Sequence, residues 1–162
     1  MKILLAIDGS PCSDAAVSEV LNRPWPAGSE VKIITAVTPA IYLTPEPWVG
    51  AQNYFAEIDK IEHEQAESII KSAISKLGAC EDKSLKISSD VMDGSPKRVI
   101  VEEAERWGAD LIVLGSHGYG AWNRFLLGSV SQTVSLHAPC SVEIVRCRVA
   151  GQENSASESE KK

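Results

Sequence analysis

Hydrophobic residues occur along the chain in two alternating patterns. Short apolar runs of strand length lie at residues 2–7, 30–37, 85–91, 110–114 and 141–146, and they predict five strands. Between them, apolar residues recur every three or four positions, which predicts four helices. Because a helix or long connection separates successive strands, right-handed crossovers in a parallel sheet are expected. The pattern therefore predicts an α/β fold, a doubly wound sandwich with a five-stranded parallel sheet and helices on both faces.

Cap and turn residues indicate where these helices begin and end. Serine followed by proline is typical of an N-cap and a first helical position, and glycine commonly follows the last turn. The helices are therefore expected to begin after Ser10, near Ala51, after Ser95 and at Gly128 or Ser129, and the second and third to end at Gly78 and Gly108.

Two segments fall outside the alternating pattern. Residues 38–50, TPAIYLTPEPWVG, contain three prolines, which exclude a helix and predict a long connection that serves as a lid or as a contact surface. Residues 151–162, GQENSASESEKK, contain no apolar residue larger than alanine. We therefore expect one domain at residues 1–148 and a disordered polar tail at residues 149–162.

Composition narrows the classes of function. The chain has 162 residues, of which 44% are hydrophobic and 23% charged, values suited to a single domain with its own core. The net charge of −6 argues against binding to nucleic acid, which needs a clustered basic surface. The apolar run at the N-terminus is far shorter than the roughly 20 residues of a membrane span and precedes no signal-peptide cleavage pattern. We expect a cytoplasmic protein with neither nucleic acid nor membrane as a partner.

The four cysteines are Cys12, Cys80, Cys140 and Cys147. Their spacing lacks the C-x-x-C pairs and neighbouring histidines that are typical of zinc sites. We therefore expect free thiols in a reducing compartment. Cys12 lies near a predicted helix N-terminus, a position that raises thiol reactivity, but no second cysteine is close to it in the sequence.

Residues 115–132, GSHGYGAWNRFLLGSVSQ, follow an apolar strand and begin with three glycines in six positions. Glycine lets backbone N–H groups converge on an anion, because no Cβ blocks close approach. The helix predicted at Gly128 or Ser129 would direct its N-terminal N–H groups to the same place. Arg124, in the intervening loop, supplies a mobile positive charge. Together these features predict a phosphate site at the carboxyl end of a strand, where doubly wound sheets bind ligands.

Each feature also has a purely structural interpretation. A Gly-Ser pair before a helix is often only an N-cap, and Asp8, after the first strand, belongs to the residue types that cap turns. His117 faces the predicted site without being required for it. The phosphate hypothesis depends on the combination of these residues at one strand end.

The arrangement Gly115-x-x-Gly118, nine residues, and then Gly128-Ser129 resembles the nucleotide-binding motif of the universal stress protein family. The resemblance covers nearly the whole chain, through MKILLAIDGS, GSPKRVIVEEAERWGADLIVLGSHG and APCSVEIVR. It implies a Rossmann-like fold of the adenine nucleotide alpha hydrolase type. It also implies ATP as the ligand, with Mg²⁺ or Mn²⁺ bridging phosphate oxygens and no dedicated metal ligands on the protein.

The resemblance, matched position by position, implies a role for each residue of the site. Asp8 would accept hydrogen bonds from the ribose hydroxyls, and Ala6 and Val37 would lie beside the adenine. The remaining residues would line the ribose and phosphate side, namely Gly115, Ser116, His117, Gly118, Arg124, Gly128, Ser129, Val130 and Ser131.

The resemblance favours an ATP-binding regulatory module of the stress response. Efficient hydrolysis needs a residue that positions the attacking water and charge at the γ-phosphate, whereas the loop offers only Arg124 and serines. We therefore assign no catalytic residue and expect at most slow ATP hydrolysis or autophosphorylation. The resemblance also implies a homodimer in which the terminal strand, residues 140–146, pairs antiparallel with its twofold mate across an exposed edge.

Other classes of function remain open. A dimeric interaction protein without functional ATP binding would share the fold. An adenylating enzyme of related fold would carry S-G-G-x-D-S after its first strand, which AIDGSPCSD does not match. A phosphoacceptor receiver domain would have a second acid beside Asp8, where this chain has Ile7 and Gly9.

Overall fold

The computed structural model describes residues 1–39, 51–78, 85–118 and 127–147, with side chains from residue 55 onward in the second range. Strands and helices alternate there as the hydrophobic pattern predicts, and their bounds differ from the predicted ones by one or two residues at most ends. In chain order they are β1 Lys2–Ala6, α1 Pro11–Asn22, β2 Glu30–Val37, α2 Ala51–Gly78, β3 Lys86–Asp93, α3 Pro96–Trp107, β4 Leu111–Gly115, α4 Ser129–His137 and β5 Ser141–Val145.

The strands form one parallel sheet in the order β3-β2-β1-β4-β5. β1 lies at its centre, where Leu5 is in register with Ile33 of β2 and Val113 of β4. Successive side chains of a strand point to opposite faces. Every central strand is therefore apolar on both faces and must be covered twice.

Two hydrophobic cores cover the sheet. On one face, β1 residues such as Ile3 and Leu5 pack with buried residues of α1 and α2, among them Val17 and Ile70. On the other face, Leu4 packs with residues of α3 and α4. This arrangement confirms the α/β doubly wound sandwich with helices on both faces.

The helices that follow β1 and β4 lie on opposite faces of the sheet. β1 leads into α1 on the first face, and its neighbour β4 leads to α4 on the second. A crevice opens between two such connections at the carboxyl ends of the strands. The topology therefore places the ends of β1 and β4, residues 6–10 and 115–118, around one crevice.

The predicted helix signals have different geometries. Ser10 caps α1, because its Oγ accepts a hydrogen bond from Ser13 N at 3.3 Å, whereas Ser95 precedes α3 without a side-chain cap bond. Gly108 ends α3 with a φ of 69°, in the left-handed region.

Several predictions fall on residues that the structure does not describe. Residues 40–50 of the Pro-rich connection, Arg124, Cys80 and the tail at 149–162 all lie outside the described ranges. Within those ranges, no helix combines the length and the apolar character that crossing a bilayer requires.

The expectation of free thiols is wrong for one pair of cysteines. Cys12 in the first turn of α1 forms a disulfide bond with Cys147, although 135 positions separate them in sequence. The strand order explains this, because α1 packs against β4 and β5, so the chain emerging from β5 reaches the first turn of α1. Cys140 is a free thiol as predicted.

A buried ion pair joins the sheet to α3. The Glu103 side chain is inaccessible to solvent, and its Oε1 lies 2.6 Å from Lys32 Nζ on β2 while its Oε2 lies 2.6 Å from Arg106 Nη2. Burial by itself would raise the pKa of Glu103, but the hydrogen bonds from Lys32 and Arg106 outweigh burial and hold that pKa below its ordinary value.

β4 ends against the backbone of α1. A Cβ added to Gly115 would lie 2.7 Å from the carbonyl carbon of Cys12 and 2.8 Å from Ser13 N. Both contacts are with backbone atoms, which move only if α1 moves. Glycine at this position therefore sets the distance between β4 and α1.

Replacement of Glu103 by glutamine is expected to lower the free energy of unfolding by about 3 kcal/mol, because Lys32 keeps a largely buried charge without its main partner. Urea denaturation measures this, and Glu102→Gln is the matched control. Glu102 pairs with Arg98 at 3.6 Å on the exposed side of α3, so its loss should cost less than about 1 kcal/mol.

Acid should remove the difference between wild type and Glu103→Gln. A lowered pKa stabilises the fold fully above the unfolded-state pKa, and the contribution is lost as pH falls through the folded-state pKa. A difference that persists in strong acid would contradict this account.

Replacement of Gly115 by alanine is expected to cost about 1–3 kcal/mol of unfolding free energy, the usual penalty of overpacking. Thermal and urea unfolding measure it. Gly78→Ala is the control, because an added Cβ there meets nothing within 4 Å. Equal stability of the two variants would show that β4 and α1 separate easily.

Candidate functional site

A cavity of about 650 Å³ opens at the carboxyl ends of β1, β2 and β4, between the two connections that diverge there. A cavity of this size accommodates a small organic ligand. Its lining combines apolar side chains with a few polar groups, and comprises Ala6, Ile7, Asp8, Ser13, Ile34, Ala36, Pro96, Ile100, Leu114, Gly115, His117, Gly118, Leu127, Gly128, Ser129, Val130 and Ser131.

Asp8 stands at the rim of this cavity, directly after β1. Its Oδ1 accepts a hydrogen bond from Ser10 N at 3.0 Å, so the carboxylate does shape the turn, as the structural interpretation held. Its Oδ2 faces the other connection, since a Cβ on Gly118 would lie 2.6 Å from it. Glycine at 118 thus lets the carboxylate lie against the loop that follows β4.

Ser10 joins the two connections. Its side chain is fully buried, and its Oγ donates to the carbonyl of His117 at 3.2 Å. The same oxygen accepts from Ser13 N. The start of α1 and the loop after β4 are therefore held together at the floor of the cavity.

The N-terminus of α4 faces the cavity. Gly128 N donates to Ser116 O at 2.9 Å, and a Cβ on Gly128 would lie 2.9 Å from that same oxygen. The N–H groups of a first helical turn have no acceptor within the helix, and Gly128 carries no side chain to cap them. These N–H groups and the positive end of the helix dipole suit an anion in the cavity.

The hydroxyl of Ser131 in α4 is already engaged by the protein backbone. Ser131 is buried, and its Oγ donates to Gly115 O at 2.8 Å and approaches Ser116 O at 3.2 Å. In this structure its proton therefore goes to backbone carbonyls rather than into the cavity. Ser131 thereby fixes α4 to the end of β4.

The structure brings most of the predicted site residues together. Those that line the cavity are Ala6, Asp8, Gly115, His117, Gly118, Gly128, Ser129, Val130 and Ser131. Ser116 is buried beneath it, and Val37 is buried with its carbonyl accepting from Gly94 N at 2.8 Å. Arg124 lies outside the described residues.

Sequence reasoning missed the apolar half of the lining. Ile34, Ala36 and Leu114 share with Ala6 the sheet face that α3 and α4 cover, and Pro96 and Ile100 belong to α3 itself. Strand alternation could have found the first three, since they are the residues nearest the carboxyl edge on that face. Pro96 and Ile100 required knowledge of where α3 packs.

The described residues include no group of three or more His, Cys, Asp or Glu side chains placed to hold a metal.

Residues 1–146 match the family model described as the universal stress protein family. A universal stress protein of Methanocaldococcus jannaschii is 33% identical over 147 residues, which cover 90% of this chain and 81% of the relative. A universal stress protein of Thermus aquaticus is 33% identical over 144 residues, which cover 89% of this chain and 97% of the relative. The solved structure of the universal stress protein UspA from Lactobacillus plantarum has a TM-score of 0.77 at 26% identity and covers 90% and 97%. This chain belongs to the universal stress protein family.

Proposed function

We propose that the chain binds an adenine nucleotide, ATP with Mg²⁺ or Mn²⁺, and acts as a nucleotide-dependent regulatory module of the stress response. One observation carries the proposal: the lining of the cavity combines an apolar wall with two polar features, the carboxylate of Asp8 and the N-terminus of α4, which has no side-chain cap. A nucleotide has the same division, with an apolar base at one end and anionic phosphates at the other.

The lining supports a role for each part of the ligand. Ile34, Ala36 and Ile100 offer apolar surface for the base. Asp8 lies at the rim, where its carboxylate accepts hydrogen bonds from ribose hydroxyls. The backbone of Gly118 and the first turn of α4 receive the phosphates. Residues 1–148 would form this module, with the tail at 149–162 outside it.

Two solved structures that share the fold contain an adenine nucleotide. A universal stress protein in complex with cAMP has a TM-score of 0.62 at 24% identity and covers 91% of this chain and 98% of its own. A family protein from Arabidopsis thaliana with AMP bound has a TM-score of 0.60 at 17% identity and covers 92% and 93%. At these identities the likeness concerns the fold, so the nucleotide itself is inferred from the lining of the cavity.

Hydrolysis is expected to be slow at most, as is autophosphorylation. Asp8 is the one carboxylate among the described residues that line the cavity, and its Oδ1 already accepts from Ser10 N. Efficient phosphoryl transfer requires a group that orients the nucleophile and positive charge at the γ-phosphate. Bound ATP therefore regulates the protein, and its hydrolysis does not supply energy for a reaction.

The chain is further proposed to act as a homodimer in the cytoplasm, paired through residues 140–146. β5 is the last strand in the sheet order. Because Ser116 N bonds to Val145 O, the backbone groups of odd-numbered β5 residues face β4. Those of Val142 and Ile144 then face the open edge, a position that favours pairing with a second chain.

Binding is tested by calorimetry with ATP and Mg²⁺ after removal of any nucleotide carried through purification. Gly128→Val should weaken ATP binding at least about tenfold. The valine side chain would occupy the space beside Ser116 O and His117 at the N-terminus of α4. Ser135→Ala is the control, because that hydroxyl donates to Gln132 O on the exposed side of α4.

Circular dichroism establishes that both variants fold. Nucleotide-free wild type that binds none of ATP, AMP or cAMP would overturn the proposal and leave a dimeric interaction protein as the better account. Titrations with ATP, AMP and cAMP then rank the three nucleotides by affinity.

Sedimentation equilibrium tests the dimer. Val142→Pro removes one edge N–H and should yield monomers, whereas Val142→Ala loses similar side-chain packing, keeps the N–H and should remain dimeric. Monomeric wild type at micromolar concentration, or two variants with the same mass, would contradict pairing through β5.

A further inference from the structure

A disulfide bond lies immediately beside the candidate nucleotide site. Cys12 and Cys147 have Cα atoms 4.6 Å apart, and their bond ties the segment after β5 to the first turn of α1. Cys12 is buried, with 4% of its surface exposed, whereas Cys147 is only partly buried. A nucleophile from solvent therefore meets the sulfur of Cys147 first.

A hydrogen-bonded chain leads from this disulfide to the cavity. The hydroxyl of Ser116, a residue only 2% exposed, donates to Cys12 Sγ at 3.7 Å. The same Oγ lies 3.0 Å from Nδ1 of His117, and His117 lines the cavity. Two hydrogen bonds thus connect the sulfur to the wall of the ligand site.

The surroundings of Cys12 suit a leaving thiolate. Cys12 lies in the first turn of α1, where the helix dipole favours negative charge. The buried Ser116 hydroxyl supplies a donor to the sulfur. The two observations are independent, and both favour breakage of the bond with the electron pair on Cys12.

We propose that Cys12 and Cys147 form a thiol–disulfide exchange site for low-molecular-weight thiols, and that opening this bond weakens nucleotide binding in the adjoining cavity. The second half of the proposal rests on the proposed function; the first half does not.

The exchange proceeds in two balanced steps. A thiolate attacks Cys147 Sγ, a mixed disulfide forms, the Sγ–Sγ bond breaks, and the electron pair leaves on Cys12 Sγ. A second thiolate attacks the mixed disulfide, so that Cys147 leaves as a thiolate and the reductant departs as its own disulfide. The protein gains two electrons, and both cysteines take up protons through water.

The coupling to the cavity follows from backbone contacts. Gly115 lies against the backbone of Cys12 and Ser13, with only 2.7–2.9 Å available to an added Cβ, and Ser13 itself lines the cavity. The disulfide holds the start of α1 to the end of β5 and so keeps this contact closed. A preorganised site binds its ligand more tightly, so the oxidised protein is the tighter binder.

The exchange site is tested in a Cys80→Ser, Cys140→Ser background, so that only Cys12 and Cys147 report. Alkylation with iodoacetamide in denaturant, followed by mass spectrometry, should find no free thiol in the oxidised protein and two after dithiothreitol. Ser116→Ala should slow reduction by dithiothreitol about tenfold, the effect of one hydrogen bond to a charged group. Ser135→Ala should leave the rate unchanged.

Two free thiols in the protein exposed to oxygen and oxidised glutathione would overturn the exchange site. So would an unaltered rate in a folded Ser116→Ala protein, since that result would remove the role assigned to the hydroxyl.

The coupling is tested by calorimetry with ATP on the oxidised background and on the same protein carrying Cys147→Ser. We expect about fivefold or greater weakening in the latter, within the usual range of coupling between sites. Linkage requires the reverse effect as well. In a glutathione redox buffer, saturating ATP should shift the equilibrium between the dithiol and the disulfide form of the protein towards the disulfide by the same factor. Cys140→Ser alone should change neither quantity; burial and the nearby Asp110 raise the pKa of that thiol.

The outcomes separate the two proposals. Equal ATP affinity of the oxidised and Cys147→Ser proteins would overturn the coupling and leave the proposed function standing. Absence of ATP binding in both would overturn the proposed function and with it the coupling, while the thiol measurements would still decide the exchange site.

Discussion

β1 pairs along both edges and is covered on both faces, so Ile3, Leu4 and Leu5 have no exposed surface. β1 ends at Ala6, which is in register with Leu114 near the end of β4. The residues directly after β1 and β4 therefore lie side by side at one edge of the sheet, and the helices that follow them lie on opposite faces. The crevice between them is a consequence of this central burial.

Glycines allow the backbone segments around that crevice to approach one another closely. Gly115 allows β4 to approach α1, Gly118 allows Asp8 to lie against the opposite loop, and Gly128 allows α4 to begin beside Ser116. The same closeness places Cys12 next to Ser116. A change at one wall is therefore transmitted to the others through backbone contacts, which is why a disulfide at the rim and a ligand in the cavity are expected to influence one another.

Several polar side chains inside the fold are held in place by a specific partner. Glu103 binds Lys32 and Arg106 beneath α3, while Ser10 and Ser131 use their hydroxyls to hold loops to the cavity floor. Such groups are costly to leave unpaired, so they fix the positions of α1, α3 and α4. The cavity walls that these elements form are therefore held in place.

The hydrophobic pattern alone determined the five strands, the four helices and the parallel doubly wound arrangement, because burial on both faces leaves few alternatives. The glycine spacing from 115 to 128, with its resemblance to a family motif, indicated the location of the candidate site after β4. Three features required the tertiary structure: the place of Pro96 and Ile100 in the cavity wall, the commitment of the Ser131 proton to backbone carbonyls, and the Cys12–Cys147 bond across 135 positions. Each depends on how separate elements pack against one another, and local spacing carries no information on that packing.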